Sequence, residues 1–300
     1  MYPWFKQTYS QLVGRIASSQ LHHGLLFLAD DGVGEQTLIL ALAKALVCEN
    51  KNACNACKGC SLFEAQSHPD VQIVVSDKPS IGVDLIRKVS EFVTTTAQLM
   101  GNKVIIIHGI DAMTEAASNS LLKTLEEPSR NTFLILSTTQ ANGVLPTIKS
   151  RCEKIRLHLP SEKQSLEWLS SNTSETVTGE GLHAYSGSPI KYLQALTDKA
   201  ANYHEFVDDI VQLQENKIFA ESVAKKWKAE PALALKWAYQ WSILEYKKCL
   251  EQDASLSKLN ELQNIGDLCS KLKPKLEQAG INFQLILQRV FTQISDFRSV

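Results

Sequence analysis

Residues 22–44 read HHGLLFLADDGVGEQTLILALAK: an apolar strand, a glycine turn and an apolar-periodic helix in immediate succession. That order is the layout of a phosphate-binding loop, G-x-x-x-x-G-K-[ST]. In such a loop backbone N–H groups cradle phosphates, the lysine reaches the outer phosphates and the hydroxyl holds magnesium. Ala29 takes the place of the first glycine, while Gly32 and Gly34 keep the turn. Glu35 stands where the lysine belongs and Gln36 where the hydroxyl belongs. A carboxylate about 4 Å from a phosphate oxygen costs several kcal/mol even at an intermediate dielectric. The frame is present and its charge is inverted, so the sequence predicts a nucleotide-hydrolase fold that does not hydrolyse nucleotide itself.

The first half alternates strand and helix, as an α/β sheet requires. Strands are expected at 24–29, 71–75, 104–107 and 133–137, and helices at 37–47, 84–100 and 116–126. All four strands are apolar, which predicts burial on both faces and a largely parallel sheet. After Leu159-Pro160 the pattern changes. A short helix is expected at 161–170, a polar connection at 170–180, and a 182–198 segment in which Gly187-Ser188-Pro189 opens a helix. From about 203 onward only helical patterns remain, including an apolar helix at 283–297. Leu233, Trp237, Trp241 and Leu244 form a stripe at helical spacing. Trp227, Trp237 and Trp241 read as core residues of a bundle, with an exposed part of the stripe as a partner surface.

Three hundred residues suit two or three domains, and the net charge of −1 argues against a protein that grips nucleic acid over a wide surface. No apolar run reaches the length of a membrane span and residues 1–20 lack a signal-peptide pattern, so a cytoplasmic location without membrane partners is expected.

Four of the seven cysteines fall within thirteen residues: Cys48, Cys54, Cys57 and Cys60, spaced C-x5-C-x2-C-x2-C. Four thiolates at such spacing close around one Zn²⁺ in a tetrahedral site with no position left for catalysis. Structural zinc in an insertion after the first helix is the expectation; unligated thiols or a redox pair are the alternatives. His68 reads as a turn residue. The strand at 104–107 ends in His108-Gly109-Ile110-Asp111, where a nucleotide hydrolase carries an Asp-Glu pair for magnesium and water activation. Asp111 comes three residues late and reads as a loop or cap residue, and His108 as a satisfied sheet-edge histidine. Ser150-Arg151-Cys152 places an arginine at a domain edge, where it is either a solvated surface residue or one that reaches a neighbouring subunit's nucleotide.

AASNSLLKTLEEP at 116–128, together with Ser150-Arg151-Cys152 and the cysteine insertion, resembles bacterial replicative clamp-loader subunits of the AAA+ class. The resemblance is dense over 20–160 and weak beyond 205. It implies an AAA+ parallel-sheet domain at 1–160 with its zinc module at 48–60. A small helical lid domain at 161–203 and an all-α collar domain at 204–300 would follow. It also implies that Arg151 is an arginine finger acting in trans on a neighbouring motor subunit's ATP. Thr138 and Thr139 fall where the family places a nucleotide sensor and read here as strand-end polar residues. Gly187-Ser188-Pro189-Ile190 carries an apolar residue where motor subunits carry a phosphate-sensing arginine. The implied role is a non-catalytic subunit of the clamp loader of the DNA polymerase III holoenzyme. Its implied partners are the tau/gamma motor subunits and the delta subunit and, through the complex, the beta sliding clamp and primer-template DNA. Rival readings are an active ATP-binding motor subunit, a zinc-containing DNA-binding scaffold and a redox sensor.

Overall fold

The computed structural model describes residues 1–76, 79–99, 101–197, 202–278 and 280–297. The chain forms two compact units, Met1–Pro160 and Ser161–Val300.

In the first unit a short turn, Pro3–Phe5, leads into α1 (Lys6–Ala17), β1 (Gly24–Ala29), α2 (Glu35–Val47), α3 (Lys58–Glu64) and β2 (Val71–Val74). Then follow α4 (Val83–Thr94), β3 (Lys103–His108), α5 (Glu115–Glu126), β4 (Thr132–Thr138), α6 (Pro146–Arg151) and β5 (Glu153–Leu157). The five strands form one sheet in the order β2-β3-β4-β1-β5, and every pairing is parallel. Alternation along the strands divides the core in two. Leu25, Phe27, Val104, Ile106 and Ile135 pack with Leu12 and Ile16 of α1 and Leu38, Leu42 and Leu46 of α2. Leu26, Ile105, Ile107, Leu134 and Leu136 pack with Ile86 and Val89 of α4, Leu121 and Leu125 of α5 and Ile148 of α6. Each of these side chains contributes about 1.5–3 kcal/mol by leaving water.

Three expectations need correction. The strand at 71–75 is not buried on both faces, because β2 is an edge strand: Ile73 is 44% exposed and Val75 71%. The helix expected at 84–100 stops at Thr94 (Met100 lies outside the described residues). The Thr94 and Thr95 hydroxyls donate to the carbonyls of Glu91 and Phe92, and the Asp70 carboxylate accepts the N–H groups of Gln98 and Leu99. Side chains thus offer this backbone partners that a continued helix would otherwise supply. Third, β5 was not expected. Its alternating Glu153-Lys154-Ile155-Arg156-Leu157 lies at the opposite sheet edge, half exposed.

Among the described residues the second unit is all helical: α7 (Glu162–Asn172), α8 (Gly179–Ala184), α9 (Pro189–Thr197), α10 (Tyr203–Gln214), α11 (Ala220–Trp227), α12 (Pro231–Glu251), α13 (Leu256–Leu272) and α14 (Phe283–Asp296). Residue 198, the expected end of the 182–198 segment, lies outside the described residues. Trp237 sits fully buried among the rings of Tyr185, Tyr203, Phe206 and Trp227, each edge-on to it. Its indole donates to the Ala184 carbonyl at 3.2 Å, so the stretches 161–203 and 204–300 share one apolar core. Trp227 and Trp241 are buried as well. Leu233 and Leu244 at the ends of the stripe are half buried, and the exposed large apolar side chains of α12 are Tyr239, Ile243 and Leu250. Among the described residues, no helix is long and apolar enough to cross a membrane.

Candidate functional site

The loop after β1 turns through two left-handed glycines. Gly32 and Gly34 both adopt φ near +81°, a left-handed conformation that a side chain disfavours. The Asp30 N–H donates to the Leu157 carbonyl at 2.8 Å, and the Asp30 carboxylate accepts the Leu159 N–H at 3.0 Å. Inside the turn, the Val33 N–H reaches the Asp30 carbonyl and the Val33 carbonyl accepts the Trp4 indole N–H at 3.0 Å. Helix α2 starts directly at Glu35, two residues before its expected start. Burial pushes the Glu35 carboxyl above the usual carboxylate range, and Asp31 adds repulsion, even though the residue's own backbone N–H favours its charge. Gln36 points to solvent and Thr37 turns its hydroxyl back to the Gly34 carbonyl.

At the neighbouring strand ends, His108 and Ser137 share a hydrogen bond of 2.8 Å, and burial holds the imidazole below its ordinary pKa. His108 terminates an interior strand rather than the sheet edge. Asp111 accepts the Thr138 hydroxyl, whose oxygen accepts the Gln140 N–H at 2.9 Å. Asp111 thereby ties the ends of β3 and β4 together, whereas the cap of α5 is Thr114. Ile190 is half buried in the first turn of α9.

The four cysteines converge beyond the far end of α2, a 13-residue helix about 20 Å long, and so stand well away from Glu35. Their sulfurs all lie within 4.8 Å of one another. A Zn–S bond of about 2.3 Å sets tetrahedral sulfurs about 3.8 Å apart, so the set fits a thiolate-bound metal with little adjustment. The Cys54 N–H points at the Cys48 sulfur and the Cys60 N–H at the Cys57 sulfur, both at 3.4 Å. Burial opposes the Cys48 thiolate, but the N–H groups of Cys54, Asn52 and Asn50 prevail and bring its thiol down to about 6. Burial drives Cys60 the other way, to about 12. The turn needs Lys51, Ala53 and Asn55 at positive φ, near +54°, +56° and +61°. Gly59 is required by close approach: a Cβ there would stand 2.3 Å from the Val47 carbonyl. Lys44, nearly buried on α2, donates to Glu64 and Asn55 and fastens the module to the helix. His68 is a turn residue as expected: the Val71 N–H donates to its carbonyl at 3.2 Å. It is buried, and its Nδ1 accepts the Asp70 N–H at 3.1 Å.

Arg151 ends α6. One guanidinium nitrogen donates to the Thr147 carbonyl at 3.0 Å, and the other pairs with the Glu126 carboxylate. Cys152 beside it is buried, which raises its thiol to about 12. Gly24 admits this packing: a Cβ there would lie 3.1 Å from Leu125 Cδ2 and 3.5 Å from both the Arg151 carbonyl and the Cys152 sulfur. Because β5 runs parallel to β1, with Leu25 beside Glu153 and Ala29 beside Leu157, Arg151 precedes the strands while the Gly32–Gly34 turn follows them. The six residues of β1, about 20 Å of strand, separate the two.

A family described as DNA polymerase III, delta subunit, matches residues 4–161. The DNA polymerase III subunit delta' of Pseudomonas aeruginosa is 32% identical over 323 aligned positions, covering 98% of this chain and 97% of that one. The chain belongs to the DNA polymerase III delta' family. The delta' subunit of Haemophilus influenzae is 37% identical, and the alignment covers 66% of this chain and 62% of that one, under two thirds of its length. The fold of a delta' family member is matched by a solved DNA polymerase III gamma subunit-related protein from Thermotoga maritima. That match has a TM-score of 0.54 at 16% identity, over 97% of this chain and 99% of that one.

Several residues that hold these delta' family features together carry little local signal in the sequence. Trp4, Lys44, Gly59 and Glu126 act across 29, 20, 12 and 25 positions respectively, on Val33, Glu64, Val47 and Arg151. Lys103 is buried at the start of β3, where its ammonium meets the carbonyls of Phe92 and Thr95 and lies over the Phe92 ring. Only the LEEP motif gave any signal, and it marked Glu126 without a partner.

Proposed function

We propose that this chain is a non-catalytic subunit of the bacterial replicative clamp loader that lends Arg151 to the ATP of an adjacent motor subunit. The observation that carries the reading is the placement of Arg151 and the Gly32–Gly34 turn at opposite ends of the parallel strands. An arginine so placed is remote from its own loop and meets a phosphate only if another subunit brings one. The inverted charge at Glu35, the hydroxyl lost at Gln36, His108-Gly109 in place of paired carboxylates and Ile190 in place of an arginine all favour a chain that does not hydrolyse ATP itself. Its own residues then work by staying put: the Trp4–Val33 and Asp30–Leu159 bonds brace the loop without a nucleotide.

Cys48, Cys54, Cys57 and Cys60 hold Zn²⁺ in this reading, with every ligand position taken, so the metal stabilises the module and performs no chemistry. Residues 1–160 form the AAA+ domain, 161–203 the lid and 204–300 the collar that joins the tau/gamma and delta subunits. The assembly opens the beta sliding clamp and loads it onto primer-template DNA in the cytoplasm.

The test is DNA- and clamp-stimulated ATP turnover by the reconstituted motor subunits, with this chain intact or carrying Arg151→Ala, and assembly followed by size. The site served by Arg151 should slow by about a thousandfold, a typical worth of an arginine finger, and total turnover should lose that site's share while the complex stays whole. Unchanged turnover would leave the chain a scaffold without a finger.

A further inference from the structure

Two helix C-termini meet beside the start of β1, and each presents a charge. Arg151 is the last residue of α6, where a cation is favoured by the helix dipole. Glu126 is the last residue of α5, followed by Glu127 and the helix-stopping Pro128. Two carboxylates at that end oppose the dipole, so helix stability does not explain them. What Glu126 gains is Arg151: its carboxylate takes one guanidinium nitrogen while the Thr147 carbonyl takes the other. Both helices are anchored close to the pair. Leu125 and the Arg151 carbonyl pack against the Cβ-free face of Gly24, and Leu121 and Ile148 lie in the same buried cluster.

A half-exposed ion pair adds little to stability. It does restrict a side chain that otherwise samples many rotamers. The guanidinium has five N–H donors in a rigid fork, so its three contacts on the protein side, to Glu126, Thr147 and the Ser150 hydroxyl, leave others for a ligand. With about a third of its side chain exposed, Arg151 has an open side on which to use them.

Resting on the reading of Arg151 as a finger, we propose that Glu126 is its positioning residue. It holds the guanidinium in the orientation from which its remaining donors meet a phosphate oxygen of the adjacent subunit. Preorganisation of this kind acts on the rate of the neighbour's site and leaves assembly alone.

The experiment measures stimulated ATP turnover of the reconstituted complex containing the intact chain, Glu126→Ala, Arg151→Ala, the double variant, or Glu127→Ala as a control, each sized for assembly. The Arg151-dependent part of turnover, intact minus Arg151→Ala, should fall about threefold to tenfold in Glu126→Ala, as expected for a loosened reactive group. The double variant should be no slower than Arg151→Ala, and Glu127→Ala should match the intact chain. A Glu126→Ala loss that persists undiminished in the Arg151→Ala background would mark a merely structural role and overturn the proposal. So would full Arg151-dependent turnover in Glu126→Ala. If Arg151→Ala itself has no effect, the finger reading fails first and takes this one with it. Should Glu126→Ala fail to assemble, the isosteric Glu126→Gln replaces it, with a smaller loss of the same kind expected and full activity overturning the proposal.

Discussion

The indole N–H of Trp4 donates to the main-chain carbonyl of Val33 at 3.0 Å, so a residue near the N-terminus grips the loop between its two left-handed glycines. The loop is therefore held by the chain's own contacts. Trp4→Phe keeps a ring beside Tyr2, with which Trp4 stacks, but removes the donor. The loss should be about 1 kcal/mol, the net worth of one hydrogen bond. A urea midpoint unmoved by the change would show that the bond does not brace the loop.

Glu35 makes a second prediction. A ligand at a hundred times its Kd stabilises a folded chain by about 2.7 kcal/mol, which is easily read as a rise in Tm. With a carboxylate at the lysine position, the isolated chain should show no Tm shift in millimolar ATP and magnesium. A clear rise would revive the rival reading of an active motor subunit.

The thiol cluster should contain metal. The purified chain is expected to carry one zinc per molecule, and Cys57→Ser to lose most of it. Three non-glycine residues in the left-handed region, Lys51, Ala53 and Asn55, are each strained by about 1 kcal/mol or more unless something holds them. Chelation should therefore speed amide exchange across 48–60 sharply while leaving β3 and β4 protected. Exchange that ignores chelation would separate the metal from the fold of the module.

Gly59 and Gly14 should respond in opposite directions. A Cβ at Gly59 would stand 2.3 Å from the Val47 carbonyl, a clash with backbone rather than with a movable side chain. Gly59→Ala should cost about 1–3 kcal/mol, as overpacking does. Gly14, inside α1, has nothing within 4 Å of its missing Cβ. Gly14→Ala should stabilise by about 0.5–1 kcal/mol through helix propensity. Denaturant midpoints of the two variants on the same side of the parent would contradict this packing.

Glu153 gives a pH dependence with a definite sign. Its bond to Arg15 holds the carboxyl below the ordinary value of 4.5. A carboxyl depressed in the folded state adds stability that is complete above the unfolded pKa and vanishes as pH falls through the folded one. The partly exposed pair is worth about 1 kcal/mol or less. The stability gap between the parent and Glu153→Gln should therefore be constant above about pH 5.5 and close in more acidic solution, where the parent carboxyl is protonated too. A gap that instead widens below pH 5 would reverse the assignment.

Much of this molecule was legible before folding. The strand–turn–helix at 22–44, the apolar strands and the cysteine spacing depend on residues near one another in sequence, so their periods and gaps report local structure directly. Gly32 and Gly34 were readable because left-handed turns select glycine, and the tryptophans of the last hundred residues because large apolar rings at helical spacing belong in a core. The stop at Thr94 was not readable. Beside the local hydroxyls of Thr94 and Thr95, it depends on Asp70, 24 positions earlier, and Lys103, nine positions later, which capture the backbone that follows.

The sequence by itself determined the four apolar strands and the helix after the first of them, that a carboxylate stands where a phosphate-binding loop carries lysine, and that four thiols stand within reach of one metal. Only the tertiary structure decided that β2 and β5 are edges, that the exposed large apolar side chains of α12 are Tyr239, Ile243 and Leu250 rather than its tryptophans, and that Arg151 is gripped by Glu126 across the sheet from its own loop. The physical reason is range. Turn chemistry and hydrophobic period act over a few residues, whereas strand order and charge pairing arise from contacts between distant segments whose partners no local pattern names.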